Sequence, residues 1–445
     1  MSETPGILVV GGGIAGIQAS LDLANRGLKV YLVEKTPSIG GRMAQLDKTF
    51  PTMDCSICIL APKMIECARN PNVKLLTYCE IEEIKGSVGN FTVKVLKKPR
   101  FVDDQKCTGC GTCSQKCPIK VPNEFDMYLG MRKAVYMPFA QAVPLIATID
   151  KDHCLFFQKG VCKVCQKFCQ AGAIDFNQEP QQFTLKVSSI IVATGLDLFD
   201  PSAISEYGYK RYKNIVSSLE FERLLSASGP TGGKLLRPSD NKIPHRIFFV
   251  QCVGSRSQRG ELPYCSSVCC IYATKEAILI KEHHPECEVD ICYMDLKVFG
   301  KGFQEFVNRA KEEWGVKYVK GHPSSIQEDS KTGDLLIRYE DTLKGEIKET
   351  TADLVVLCPA LIPRRDNEKL AKTLNLELDE YGFIKPKDVL FAPVDTSIPS
   401  VFICGYCQGP KDIPESVAQA SGAAARVAEI ITLTTSEGGV ESGSK

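Results

Sequence analysis

Apolar residues come in short bursts along this chain, and their spacing switches between strand and helix. Ile7–Val10 is a continuous apolar run that meets a glycine cluster. Ile14 to about Asn25 then carries apolar positions at helical intervals. A second apolar run, Val30–Val33, ends at Glu34. The pattern predicts strand, tight turn, helix, strand, acid. Residues 81–98 alternate apolar and polar (FTVKVLKK), which predicts a half-buried hairpin. Buried strands are predicted at SSIIVATG (188–195), RIFFVQCVG (246–254), SVFICG, and VDICYMD, KYVKG, DLLIRYED and ADLVVLCPAL within 288–360. SLEFERLLSAS, IYATKEAILIKEHHP and the small-residue stretch after Ile413 have helical spacing. Strands alternating with helices imply an α/β protein.

The first unit has the spacing of a dinucleotide-binding βαβ element. Gly11 allows the tight turn, Gly13 lets backbone approach a pyrophosphate, and Gly16 lets the helix pack on the sheet. Ile14 and Ala15 open a helix whose free N–H groups and dipole favour phosphate. Glu34 lies 18 residues past Gly16, where a carboxylate can accept ribose hydroxyls. Lys35 follows it, and the Gly40-Gly41-Arg42 loop could add backbone N–H groups and a guanidinium to a diphosphate. Ala193-Thr194-Gly195 ends a strand expected to run out beside the same nucleotide.

A length of 445 residues allows two or three domains. A net charge of +1 gives no reason to expect nucleic acid or an anionic membrane as a partner. No apolar run is long enough for a membrane span, and the N-terminus lacks the regions of a signal peptide, so a cytoplasmic protein is expected. The 21 cysteines change this picture. In a reducing compartment, clustered cysteines read as metal ligands or redox groups.

Eight of them lie between about Arg100 and Phe183. The first run, Cys107, Cys110, Cys113, Cys117 and Pro118, is CxxCxxCxxxCP. Three cysteines wrap one iron–sulfur cube and the fourth serves the other cube of a two-cluster ferredoxin, with Pro118 expected to start a helix. The second run is Cys154, Cys162, Cys165 and Cys169, with a longer first gap and Gln170 where proline is usual. One cluster is therefore assigned to Cys107, Cys110, Cys113 and Cys169. The other is assigned to Cys154, Cys162, Cys165 and Cys117. Zinc prefers separated CxxC pairs and fits this spacing less well. Because strand spacing resumes after the second run, the unit reads as an insertion into the nucleotide domain.

After the strand at 246–254, a second dinucleotide loop would be expected in a two-nucleotide flavoprotein. Instead Cys252, Cys265, Cys269 and Cys270 follow, and Lys275 lies on the helix beyond them. Cys55 and Cys58 form a CxxC that could be a redox dithiol, part of a metal site, or packing. Cys67 and Cys79 read as buried small residues, and Cys404 and Cys407 as structural.

Taken together, VGGGIAGIQASLDLA, EKTPSIGGRMAQLDKTFPTMDCSICILAPKM, KCTGCGTCSQKCP, QCVGSRSQRGELPYCSSVCC, YMDLKVFGKGFQEF and GPKDIPESVAQAS resemble the A subunit of heterodisulfide reductase and its bacterial relatives. The likeness is to a short bacterial form, as in heterodisulfide-reductase-like or class II benzoyl-CoA reductase complexes. It implies a thioredoxin-reductase-like FAD-binding Rossmann fold, with an inserted two-cluster ferredoxin domain and a second Rossmann-like lobe without an NAD loop. It implies FAD at Gly11–Glu34, closed over by Gly405 and the helix from Ile413. It also implies a third [4Fe–4S] cluster on Cys252, Cys265, Cys269 and Cys270, with Lys275 near the flavin as a tuning cation.

The expected division is 1–98, 184–243 and 386–432 for the FAD domain, 99–183 for the ferredoxin unit, 244–385 for the second lobe and 433–445 for a disordered tail. Relative to long relatives, the chain is expected to lack an N-terminal cluster domain and a C-terminal ferredoxin domain. The implied role is an FAD and iron–sulfur electron-transfer subunit, with electron bifurcation ranked above simple relay. A free-standing NAD(P)H-dependent disulfide reductase is the alternative. The implied partners are heterodisulfide-reductase B/C-like subunits, hydrogenase- or NADH-dehydrogenase-like donors and ferredoxin, and a homodimer is left open.

Overall fold

The computed structural model describes residues 5–257 and 262–437, with backbone alone for 433–437. The predicted first unit forms as read: strand β1 (Gly6–Val10), helix α1 (Ile14–Ala24) and strand β2 (Val30–Glu34). Helix α2 (Ser56–Arg69) leads to β3 (Val73–Thr77), and the alternating stretch forms the hairpin of β4 (Cys79–Ser87) and β5 (Asn90–Lys97). The strand Gln181–Val192 completes the layer. It pairs in parallel with β1, while its other edge is shared between antiparallel β5 and the parallel strand Val401–Ile403. Lys97 and Gln181 are direct cross-strand partners, so the chain between them leaves and re-enters the sheet at one place. The ferredoxin-like unit is an insertion within a single sheet.

On one face of this sheet, α1 packs against the final helix, Ile413–Glu437. Ala420, Ala423, Ala424 and Val427 are fully buried there beside Ile17 and Leu23. Small side chains at those positions let the two helix backbones approach closely. The final helix reaches Glu437, into the stretch expected to be a disordered tail; residues 438–445 of that tail lie outside the described residues.

The second lobe has its own sheet, ordered Ile215–Ser217, Leu354–Pro359, Arg246–Val253, Glu288–Tyr293, Lys317–Glu328, Leu335–Asp341 and Glu346–Ala352. The first five strands are parallel and the last two turn back antiparallel. A capping box of Ser217 and Glu220 starts the helix Ser218–Leu225. The lobes are joined by a short antiparallel pair, Leu196–Leu198 with Leu361–Pro363. The strand Glu346–Ala352 carries no apolar signal because it is an edge strand with most side chains in water.

The inserted unit has a separate core built from Phe101, Val102, Ile149, Ile174 and Phe176 around its buried cysteines. Pro118 does not start a helix. The short helix is Thr112–Lys116, and Cys117 caps its end, followed by a strand at Lys120–Pro122. Gly111, in a left-handed conformation, starts that helix inside the cysteine run and so exhausts the turn before Pro118.

Arg100 ties the insertion to the sheet. Its fully buried guanidinium donates to the Thr148 hydroxyl (3.0 Å), the Pro37 carbonyl (2.7 Å) and the Thr77 hydroxyl (2.7 Å). Arg100→Met leaves these acceptors without donors. It is expected to lower stability by about 3 kcal/mol, read by chemical denaturation, and to expose the insertion to proteolysis first.

Candidate functional site

The glycine turn is built to admit a diphosphate. Gly11 has φ +106, and a Cβ there would lie 2.4 Å from the Ala193 carbonyl oxygen. A Cβ on Gly16 would lie 1.9 Å from the Gly11 carbonyl oxygen, so helix and turn interlock. A Cβ on Gly13 meets nothing within 4 Å, which leaves open space in front of the turn. Helix α1 has no side-chain cap and no acidic residue in its first turn, so the N–H groups around Ile14 and Ala15 are available to an anion. These features fit the phosphates of a dinucleotide.

Glu34 is positioned at the rim: one carboxylate oxygen accepts from Gly12 N–H (2.7 Å), the other from the Thr36 N–H and hydroxyl (2.8 Å each). Gly41 folds against Gly13, and Gly40 N–H donates to the Gly12 carbonyl (2.7 Å). The Arg42 guanidinium turns instead to Asp197 (3.1 Å) and Gln45 (3.0 Å), so its charge is already paired. Lys35 pairs with Asp366. Thr194 donates to Asn367 (3.0 Å), and Gly195 turns the chain with φ +78.

Gly405 sits over α1, with φ +76 and no room for a Cβ, which would lie 2.9 Å from Ala15 Cβ. The segment behind it holds Lys411, a residue that carries no motif in the sequence. Its ammonium donates to the carbonyls of Gly405 (3.1 Å) and Gly409 (2.7 Å) and to Gln408 (3.0 Å), and burial lowers its pKa. Asp412 and Glu415 cap the final helix reciprocally (2.8 Å each way) next to Ile413.

The two cysteine runs of the insertion interleave. Cys113 is buried and raised to about 11, first by burial and then by the neighbouring Cys107, Cys110 and Cys169 sulfurs. Cys165 is raised to about 12 by burial, with Cys154, Cys113 and Cys117 nearby. A small cavity is lined by Cys117, Cys154, Cys162 and Cys165. Cys169 of the second run thus neighbours Cys113 of the first, and Cys117 of the first lines a cavity with Cys154, Cys162 and Cys165 of the second. Among the described residues no three such donors converge as on a single metal ion; a cube takes one thiolate at each iron.

The other four cysteines gather at the carboxyl end of the second sheet. Cys252 is the last residue but one of its strand, at φ +60, and Cys269 and Cys270 open the helix Cys269–His283. The Cys269 thiol bridges the sulfurs of Cys252 and Cys270: this hydrogen bonding raises Cys269, lowers Cys252, and lowers Cys270 to about 7. Backbone N–H groups point at two of the sulfurs, Ser267 at Cys265 and Lys297 at Cys270 (3.4 Å each). The Arg256 guanidinium lies beside the Cys252 sulfur and pairs with Asp295 (2.8 Å), while its buried Nη1 has no partner among the described residues. Four sulfurs, N–H···S donors and an unfilled cationic donor fit an anionic iron–sulfur cluster.

This cysteine loop shares a wall with the Gly405 turn. Tyr406, buried in that turn, directs its hydroxyl to the carbonyls of Ser266 and Leu361 (3.4 Å each). Tyr264, Val268, Phe383 and Tyr406 pack in one small apolar cluster. The Ser266 hydroxyl accepts the Leu361 N–H (2.9 Å), which fixes the loop to the strand pair between the lobes. Tyr406 had no sequence signal, since it acts through a chain segment far from its own.

Lys275 is fully buried on the same helix, ion-paired with Glu222 and donating to the Lys48 carbonyl (3.2 Å). Burial lowers its pKa to about 8. Its charge is therefore compensated by a carboxylate rather than free. Next to it, both Glu276 oxygens are buried with no hydrogen-bond partner among the described residues, and burial raises this carboxyl to about 8. Between 4.5 and 8 the folded chain holds this proton and the unfolded chain does not. Wild type should then lose stability relative to Glu276→Gln as pH rises through that window, by up to about 1.4 kcal/mol per pH unit. Parallel urea titrations across pH check this. Cys67 and Cys79 are buried thiols raised to about 12 and 11 by burial, and Cys404 and Cys407 are also buried, as packing residues are. Cys55 and Cys58 form a disulfide.

Residues 6–53 match the FAD dependent oxidoreductase family, and residues 100–122 the 4Fe-4S binding domain family. The fold is similar to thioredoxin reductase of Lactococcus lactis (TM-score 0.53, 15% identity, 96% of this chain and 99% of that one). It is also similar to the T. acidophilum enzyme (TM-score 0.52, 15% identity, 96% and 98%). Fold and site thus define a thioredoxin-reductase-like FAD-binding flavoprotein with an inserted iron–sulfur domain. Over 420 residues the chain is 56% identical to the iron–sulfur A subunit of CoB–CoM heterodisulfide reductase from Methanocaldococcus jannaschii, covering 94% of this chain and 63% of that protein. It is 52% identical over 421 residues to the A subunit of the H(2):CoB-CoM heterodisulfide,ferredoxin reductase of Methanothermobacter thermautotrophicus, covering 95% and 63%. The chain is a homologue of the heterodisulfide reductase A subunits over nearly all of its length, and it spans about 63% of the length of these relatives.

Proposed function

We propose that this chain is the electron-transfer subunit of a heterodisulfide-reductase-like complex, and that it exchanges electrons between an FAD and three [4Fe–4S] clusters. The observation that carries this reading is the wall shared by the Gly405 turn and the Cys265–Cys270 loop, joined through Tyr406. When bound, FAD handles electrons in pairs or singly, and the clusters take them one at a time. In this reading Gly11, Gly13, Gly16 and Glu34 hold the adenosine diphosphate half, and Lys411 fixes the turn that faces the flavin. Cys252, Cys265, Cys269 and Cys270 hold the cluster beside it, with Arg256 countering its charge. The ferredoxin unit holds the other two, on Cys107, Cys110, Cys113 and Cys169, and on Cys117, Cys154, Cys162 and Cys165.

Cysteines occupy the strand end where a nicotinamide loop would lie, so the hydride donor binds elsewhere in the complex. Of the two uses of a flavin beside a cluster, division of an electron pair between two routes, as in bifurcation, is ranked above simple relay in this reading. The partners are B/C-like subunits, a hydrogenase- or NADH-dehydrogenase-like donor and ferredoxin, in the cytoplasm. No described helix is long and apolar enough to cross a membrane. The test is stopped-flow mixing of the isolated, FAD-loaded chain with NADH. The expected result is no rapid bleaching of the flavin; rapid stoichiometric reduction would show a free-standing NADH-dependent reductase instead.

A further inference from the structure

Helix α2 carries two faces of opposite character. Ser56, Leu60, Met64 and Cys67 are buried against the FAD domain. Cys58, Ile59, Pro62 and Ile65 lie on the outer face, with Ile59 exposed by 40% and Ile65 by 42%. A shallow groove continues along Pro62, Ile65, Glu66, Arg69 and Asn70. At the head of this face lies the Cys55–Cys58 disulfide, whose Cα atoms are 5.2 Å apart. Its two sulfurs differ. Cys58 is exposed, whereas Cys55 is the half-buried N-cap residue, and its sulfur accepts the Cys58 N–H at 3.3 Å. The loop beneath is fixed: Ser56 N–H donates to the Asp47 carbonyl (2.9 Å), Ser56 Oγ to the Met43 carbonyl (2.8 Å), and Thr49 N–H to the Asp54 carbonyl (2.8 Å). Pro62 has no N–H to close on the Cys58 carbonyl four residues earlier, which leaves that acceptor beside the disulfide.

We propose that Cys55–Cys58 is a thiol–disulfide exchange site that takes an electron pair from a protein dithiol docked on the outer face of α2. The partner's thiolate attacks Cys58 Sγ, the exposed sulfur. The bond from the partner sulfur to Cys58 forms as the Cys55–Cys58 bond breaks, and Cys55 leaves as a thiolate. The helix N-terminus and the Cys58 N–H stabilise that leaving charge. The proton of the partner's second thiol passes to the Cys55 thiolate. That second sulfur then attacks its own neighbour and releases Cys58. The partner ends as a disulfide and this chain as two thiols, two electrons and two protons richer once Cys58 is protonated. The apolar stripe selects a polypeptide over a small charged thiol, because it extends along α2 beyond the reach of the disulfide itself.

The probe is reduced thioredoxin whose second active-site cysteine is replaced by serine, so that the mixed disulfide is trapped on the whole anaerobic protein. One adduct is expected, mapped by peptide mass spectrometry to Cys58 and absent from Cys58→Ser. Ile59→Glu should slow trapping about tenfold while leaving reduction by dithiothreitol unchanged. Absence of an adduct on the wild type, or its mapping to another cysteine, would overturn the exchange site. So would loss of iron in Cys58→Ser, which would make Cys58 a cluster ligand. Equal trapping rates in wild type and Ile59→Glu would overturn the docking face.

Discussion

Cys265→Ala should lower the iron content by about a third and leave FAD bound at full occupancy. Cys265 lies in the loop between two fixed points, the Tyr264 carbonyl that accepts from Ser255 (2.8 Å) and the Ser266 carbonyl that accepts from Tyr406. Removing one sulfur leaves the N–H of Ser267 without its acceptor, but it removes no contact to the Gly11–Gly16 turn. Cluster loss and flavin loss are therefore separable. Electron paramagnetic resonance of the reduced protein, with iron and flavin assays, reads both. Loss of FAD with all iron retained would reverse the assignment. Cys110→Ala is the matching control, since Cys110 neighbours Cys113 in the insertion and should affect that unit alone.

Gly16→Val should abolish FAD binding. Even the first carbon of the new side chain would lie 1.9 Å from the Gly11 carbonyl oxygen, far inside contact distance, and the obstacle is backbone that cannot rotate away. Helix α1 must then back off the sheet, and the phosphate-facing N–H groups move with it. Overpacking of this kind costs about 1–3 kcal/mol or more in stability. The loss of alignment falls on ligand binding as well, so a drop in FAD affinity of at least about a hundredfold is expected by the same reasoning. Fluorescence titration of the apoprotein measures it. Gly13→Ala is the informative contrast. Its Cβ meets no protein atom, so any weakening there reports the nucleotide itself.

How much of this was legible in the sequence depends on how local each feature is. Gly11, Gly13, Gly16 and Glu34 are fixed by spacing within one βαβ unit, and spacing survives folding unchanged. The interleaved cysteine runs were legible for the same reason, because each run positions three sulfurs by its own turn. The parts that escaped depend on distant partners. Arg42 looked available to a diphosphate, yet Asp197 claims it from another strand. Lys275 looked like a free cation near the flavin, yet Glu222 pairs with it inside the core. Tyr406 connects the sites only because the Leu196–Leu198 and Leu361–Pro363 pair draws the two lobes together. The start of a helix at Pro118 is a motif expectation; the helix starts instead at Thr112, where Gly111 supplies an earlier left-handed start.

The claim that one FAD trades electrons with iron on this same chain is tested most directly by counting both cofactors in the anaerobically purified protein. The account predicts one FAD and about twelve iron atoms per chain, with the flavin bleached only when the clusters are also reduced. About eight iron atoms with a full complement of FAD, or full iron with no flavin, would contradict it.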